Sequence, residues 1–103
     1  MKTEAEIYLE YETAIAQAES LTAAAENIRK SLSEGINELS GIMSASWKGQ
    51  SAEAFASKCS AFQEKAGRIS QALMESAEVI RTIADNIYQA EMNALMLAAA
   101  REY

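Results

Sequence analysis

The stretch Ser44-Ala45-Ser46-Trp47-Lys48-Gly49-Gln50-Ser51 decides how the rest of the chain is arranged. Gly41, Ser44, Ser46, Gly49 and Ser51 cluster here as nowhere else, around the only tryptophan. A run of small and glycine residues of this kind marks a chain reversal. Neither flank contains a proline, and both carry apolar residues at helical spacing. The chain is therefore predicted to be all-α: an antiparallel helix-turn-helix hairpin, one domain over residues 1–103, hinged at Trp47–Gly49.

Upstream of the turn, Thr3-Glu4-Ala5-Glu6 has the form of a capping box, and its acids suit the positive end of a helix dipole. Apolar residues then recur at Ile7, Tyr11, Ala14, Ala18, Leu21, Ala25, Ile28 and Leu32, in alternating steps of 4 and 3. That is a heptad seam. Ile36, Leu39 and Met43 follow after a second step of 4, so the seam slips by one residue near Gly35 and the supercoil loosens there. The spacing predicts a helix over about 4–43, roughly 60 Å long.

Downstream, a turn over about 44–50 gives way to a helix predicted over about 51–98, with Gly49 or Ser51 as its cap and Glu53 in its first turn. Its seam reads Phe55, Cys59, Phe62, Ala66, Ile69, Leu73, Ser76, Ile80, Ile83, Ile87. Past Ile87 the pattern blurs into Tyr88, Met92, Leu95, Met96 and Leu97. The first arm spans about forty positions, so the last dozen residues are expected to run beyond it, frayed until a partner orders them.

Half the residues are apolar, but many are alanine, and two helices side by side make a single contact. A hairpin of this length leaves apolar surface open and needs a partner to cover it. Tyr8, Ile15 and Val79 widen the apolar stripes beyond one contact. Two hairpins are thus predicted to dimerise into a four-helix bundle, with Ile7, Leu21, Ile28, Leu32, Phe55, Phe62, Ile69, Leu73, Ile80 and Ile83 in its core. A homodimer and a heterodimer both satisfy this pattern.

The formal charge of −6 and a pI near 4.6 argue against nucleic acid or an anionic membrane surface as partner. Residues 1–46 hold eight acids and three bases, net −5, against net −1 for 47–103. This reads as a solvated acidic face or as a dock for a basic partner. The single Cys59 excludes an internal disulfide and falls on an apolar helical position, so a buried thiol is expected. The N-terminus is acidic where a signal peptide is basic, and no apolar run approaches the ~18 residues of a membrane span. By these signals alone the protein would be cytosolic.

Catalysis finds little support. The chain has no histidine, which removes histidine triads, E-x-x-H metal pairs and H-E-x-x-H sites. It has no glycine-rich phosphate loop, and Glu75 and Glu78 read as an exposed charged face. No catalytic residue, metal ligand or cofactor is expected, and no enzyme.

The stretch from Trp47 to Phe55, with small residues after Gly49 and an aromatic six places on, resembles the WXG family of hundred-residue helical hairpins, the early secreted antigenic target type. The resemblance extends to chain length, the near-central turn and the acidic balance. It implies a substrate of a type VII (ESX/Ess-like) secretion system, found in Gram-positive bacteria and linked to virulence. Such a protein is exported folded, as a homodimer or with a related WXG protein, without a cleaved signal peptide, and engages the secretion ATPase. Trp47 and Gly49 then belong to an export signal shared with a partner's C-terminal tail; without the family, Trp47 plugs the end of the bundle, and both roles are compatible. The family's tail signal is tyrosine, three residues, then an acid. Here Tyr88 is followed at that place by Met92, with Glu91 one residue early, while Ile87 and Glu91 meet a looser apolar–x–x–x–acid pattern. The resemblance leaves three readings: a secreted effector or chaperone-like partner, a membrane-active effector inserting its Met- and Ala-rich tail, and an intracellular helical adaptor.

Overall fold

The structure is a computed structural model, which describes residues 2–46 and 49–101. Apart from Lys2, Thr3 and Gly49, the described residues lie in two long helices with a hairpin-like arrangement. Helix α1 runs Glu4–Ser46 and helix α2 runs Gln50–Arg101. Trp47 and Lys48, where the sequence places the heart of the turn, lie outside the described residues.

Each helix start follows from local chemistry. The Thr3 hydroxyl accepts a hydrogen bond from the Glu6 amide at 3.2 Å, and the Thr3 carbonyl accepts from the Ile7 amide at 3.0 Å. Thr3 thus caps α1, and Glu4 and Glu6 sit where the dipole favours acids. At α2 the Gly49 carbonyl accepts from the Glu53 amide at 3.2 Å. Gly49 has φ +91°, in the left-handed region, while a Cβ placed on it would meet nothing within 4 Å. The turn therefore needs glycine for backbone freedom and not for room. Arg101 supplies the cation suited to the far end of α2.

The chain divides into two compact units. The first comprises Met1–Thr22 with Glu75–Tyr103, so the start of α1 lies against the end of α2. Its buried apolar side chains are Ile7, Ala18, Ala77 and Ala84. Around them the Tyr11 and Tyr88 rings stand 5.0 Å apart at 48°, and the Tyr11 hydroxyl donates to Asp85 at 2.9 Å. Arg81 donates to Thr22 at 3.1 Å and to Glu78 at 2.7 Å. Lys2 bridges Glu10 at 2.6 Å and Glu91 at 2.7 Å. These contacts pair low numbers with high ones, which is the antiparallel sense.

The second unit is Ala23–Met74. Here Ala25 and Ser70 are fully buried, and the Ser70 hydroxyl donates to the Ala25 carbonyl of the facing helix at 2.9 Å. Arg29 donates to Gln71 at 3.2 Å. A side-chain hydroxyl reaches a backbone carbonyl of the next helix only where the two backbones come close, and only small residues allow that approach.

Ala18 and Ala25 on α1, and Ser70, Ala77 and Ala84 on α2, repeat every seven residues, and the buried line is built from them. The large apolar residues of α2 sit one position earlier or at the margins. Pairing in the first unit carries on past Ile87: Tyr88, Glu91 and Leu95 are all half-buried, and Met96 and Leu97 are exposed. The stretch expected to overhang is shortened accordingly. Lys2 and Ile7 reach the Glu91–Leu95 turn and line a small cavity with it, so the first helix accompanies α2 further than a count from its acidic start suggests.

Candidate interaction surface

What the chain offers another molecule is apolar surface that its own two helices do not cover. In the second unit Phe62 is 64% exposed and Ile69 56%, with Leu39 and Ile42 also exposed. Two cavities open beside them. One, of about 390 Å³, lies between Ile36, Met43, Ala52 and Ala56; the other, of about 300 Å³, lies between Leu32, Gly35, Lys58 and Phe62. Leu39 and Cys59 line both. The cavities fall where the α1 seam slips by one residue near Gly35 and where α2 offers alanines, so the facing side chains are too short to fill the gap. Cys59 is a free, half-buried thiol on the wall of this gap.

In the first unit Val79, Ile83 and Ile87 on α2 are each at least half exposed, as are Tyr8 and Leu9 on α1. Ser76, Ile80, Ile83, Ile87, Ala90, Ala94 and Leu97 follow one another by steps of 4 and 3 with no charge among them. They form one uncharged row along the helix.

The ten residues that the sequence marks as bundle core occupy three environments. Ile7 is buried; Leu21, Ile28, Leu32, Phe55, Leu73 and Ile80 are half-buried; Phe62, Ile69 and Ile83 are exposed in the single chain. Of the residues marked for a tail signal, Ile87 is exposed, Tyr88 turns its ring to Tyr11, and Glu91 is held by Lys2. Gly49 stands at the head of α2; Trp47 is among the residues not described. The line of small residues at 70, 77 and 84 escapes a reading that weighs large side chains, yet its seven-residue repeat with Ala18 and Ala25 is present in the sequence.

Electrostatics in the first unit centre on Lys2, Tyr11 and Tyr8, whose phenol is raised by the nearby Glu12 charge. Hydrogen bonds to Glu10 and then Glu91 hold the Lys2 ammonium well above its ordinary pKa. The hydrogen bond to the Asp85 carboxylate raises the Tyr11 phenol. Among the described residues no group of His, Cys, Asp and Glu is placed to hold a metal ion, and no helix is long and apolar enough to cross a membrane.

Two long helices in a hairpin-like arrangement, with small residues among the most buried and several large apolar side chains left exposed, define a helical hairpin. A family model described as proteins of 100 residues with WXG matches residues 6–92, and the chain belongs to that family. The family consists of small helical hairpins not known as enzymes, typically forms dimers, and is associated with type VII secretion substrates. No curated protein and no solved structure matches the chain.

Proposed function

We propose that this chain is a secreted substrate of a type VII secretion system of the ESX/Ess kind, exported as a folded dimer and acting as an effector or as a chaperone-like partner of another secreted protein. The family match over residues 6–92 carries the reading. The exposed Phe62, Ile69, Ile83 and Ile87 support the dimer. Covering these side chains, each 50–64% exposed, contributes about 1 kcal/mol apiece, roughly half the value for full burial. Counted on both copies, that is of the order needed to offset the loss of free motion on association. Trp47 and Gly49 form the recognition turn, and Ile87 and Glu91 the tail signal, presented with Tyr88 packed beneath.

The experiment is an export assay with a stability control. In a strain with an active apparatus the chain is found in the culture medium, and disabling the secretion ATPase keeps it in the cells. Retention with the apparatus active sinks the proposal. Trp47→Ala separates the two roles of the tryptophan. As a recognition residue it leaves melting and dimerisation nearly intact while export falls; as a packing residue its loss lowers stability by about 3–5 kcal/mol.

A further inference from the structure

We propose that the recess between the two arms in the second unit binds a medium-chain amphiphile with one anionic head. The ligand is fatty-acid-like: its carboxylate meets Lys58 and its chain lies between the helices. Two cavities, of about 300 and 390 Å³, share Leu39 and Cys59 in their linings and so adjoin as one trough. Each falls in the roughly 300–1,000 Å³ range of ligand pockets, which are mostly apolar with a few polar groups that set orientation. Leu32, Ile36, Leu39 and Phe62 wall the smaller cavity, and Ile36, Met43, Ala52 and Ala56 wall the larger. Gly35 opens the wall of the smaller one, since a Cβ built on it would meet nothing within 4 Å. A glycine in mid-helix weakens the helix, and this one turns no corner, the positive φ being at Gly49. What its missing side chain leaves is the space beside it. An α-helix is about 10–12 Å across with its side chains and cannot enter between two helices of one hairpin, whereas an alkyl chain can.

Charge fixes the sign and direction of the ligand. Lys58 is the one charged residue lining the smaller cavity, and among the described residues it makes no ion pair. The larger cavity also has one charged residue, Glu53. Glu53 lies in the first turn of α2, where the positive end of the helix dipole already meets its charge. Lys58, further along the helix, has no such compensation. An anionic head is therefore drawn to the Lys58 end of the trough and kept from the Glu53 end, with the chain running past Leu39 and Cys59.

The test is a calorimetric titration of the full chain with sodium dodecanoate below its micelle concentration, with dodecanol and dodecylammonium as comparators for the head. Dodecanoate should bind saturably and slow the reaction of Cys59 with a maleimide, because that thiol lines the trough. Lys58→Met should raise the dodecanoate Kd about threefold to fivefold, as loss of a solvent-exposed ion pair does, and leave dodecanol unchanged. Gly35→Leu fills the space from within. Leucine is a better helix former than glycine, so this variant should melt no lower than the wild type while losing dodecanoate. No saturable binding overturns the site and leaves the trough to side chains of a protein partner. Binding that Gly35→Leu leaves intact overturns it as well, being adsorption on exposed apolar surface. Dodecylammonium that protects Cys59 better than dodecanoate, or a Kd that Lys58→Met leaves unchanged, overturns the anionic head. Export is read by a separate assay, so the amphiphile site and the export reading can each fail alone.

Discussion

Replacing Ser70 by leucine asks whether the two helices are as close as the buried line requires. Ser70 is fully buried, and its hydroxyl donates to the Ala25 carbonyl at 2.9 Å. In a heptad seam of ordinary spacing, leucine at such a position stabilises, by about 1.5–3 kcal/mol for the burial of its side chain. Against a facing backbone the added carbons have nowhere to go, and overpacking costs about 1–3 kcal/mol. The lost hydrogen bond adds about 1 kcal/mol. Ala25 lies inside α1 and its carbonyl keeps the helix's own bond, so no orphaned acceptor enters the sum. Ser70→Leu should therefore destabilise by about 2–4 kcal/mol, and Ser70→Ala, which removes the hydroxyl and adds no bulk, by about 1 kcal/mol at most. For a chain of this size the leucine variant should melt roughly 8–16 °C lower. The assay is thermal and urea unfolding followed by circular dichroism, at fixed protein concentration because association adds to apparent stability. A leucine variant that melts at or above the wild type would refute the close approach.

Three further outcomes follow from the first unit. Tyr11 has its pKa raised in the fold by its bond to Asp85, so the protonated phenol is favoured by folding; this stability is fully present below the ordinary tyrosine value near 10 and drains away as pH rises through the higher folded value. Alkaline unfolding curves should show a smaller loss in Tyr11→Phe than in the wild type, since Lys2 and Tyr8 are also raised and remain in the variant; identical curves would remove Tyr11 from the account. Lys2→Met should lower the melting temperature slightly at low salt and not at 1 M salt, where screening acts within about 3 Å, because the Lys2 bridges to Glu10 and Glu91 are solvent-exposed; a salt-independent loss would point to packing instead. A chain ending at Leu95 should unfold within about 0.5 kcal/mol of the full length, since of the described residues that go only Ala98 is half-buried and the rest are exposed. One ending at Asn86 should lose about 3 kcal/mol with the half-buried Tyr88 and Leu95, and equal urea midpoints for the two would show that the seam stops before Asn86.

Much of this was legible because helices announce themselves by period. The capping residue Thr3, the helical flanks, the break around Gly49 and the family resemblance can all be read from the chain. Along α1 the steps of 4 and 3 pass through Ile7, Ala18 and Ala25, all buried. Along α2 the same method fixes on Phe62, Ile69 and Ile83, and the buried line runs one residue later, through Ser70, Ala77 and Ala84. The reason is physical. A periodicity reading follows large side chains, because burial energy scales with apolar area. Two backbones in close approach select for the absence of a side chain, and a serine contributes almost nothing to such a reading even when wholly buried.

That displacement by one residue separates two tasks on a single helix. A shift of one position turns the helix by about 100°, so small residues at 70, 77 and 84 and large ones at 62, 69 and 83 lie on adjoining faces. Had the large residues formed the line between the two arms, the hairpin would have covered them, and little apolar area would remain for a partner. Giving the inner face to alanine and serine keeps the arms close and leaves Phe62, Ile69, Ile83 and Ile87 to face outward. The inner line gains little from each buried alanine, so a single hairpin is weakly held by burial, and covering the outer face adds stability that the inner face lacks. In the proposed pair folding and association are coupled: anything that uncovers the outer face also loosens the hairpin. The proposed export as a folded pair would rest on this coupling. A chain parted from its partner would be less stable as well as stickier, and the same four exposed side chains account for both.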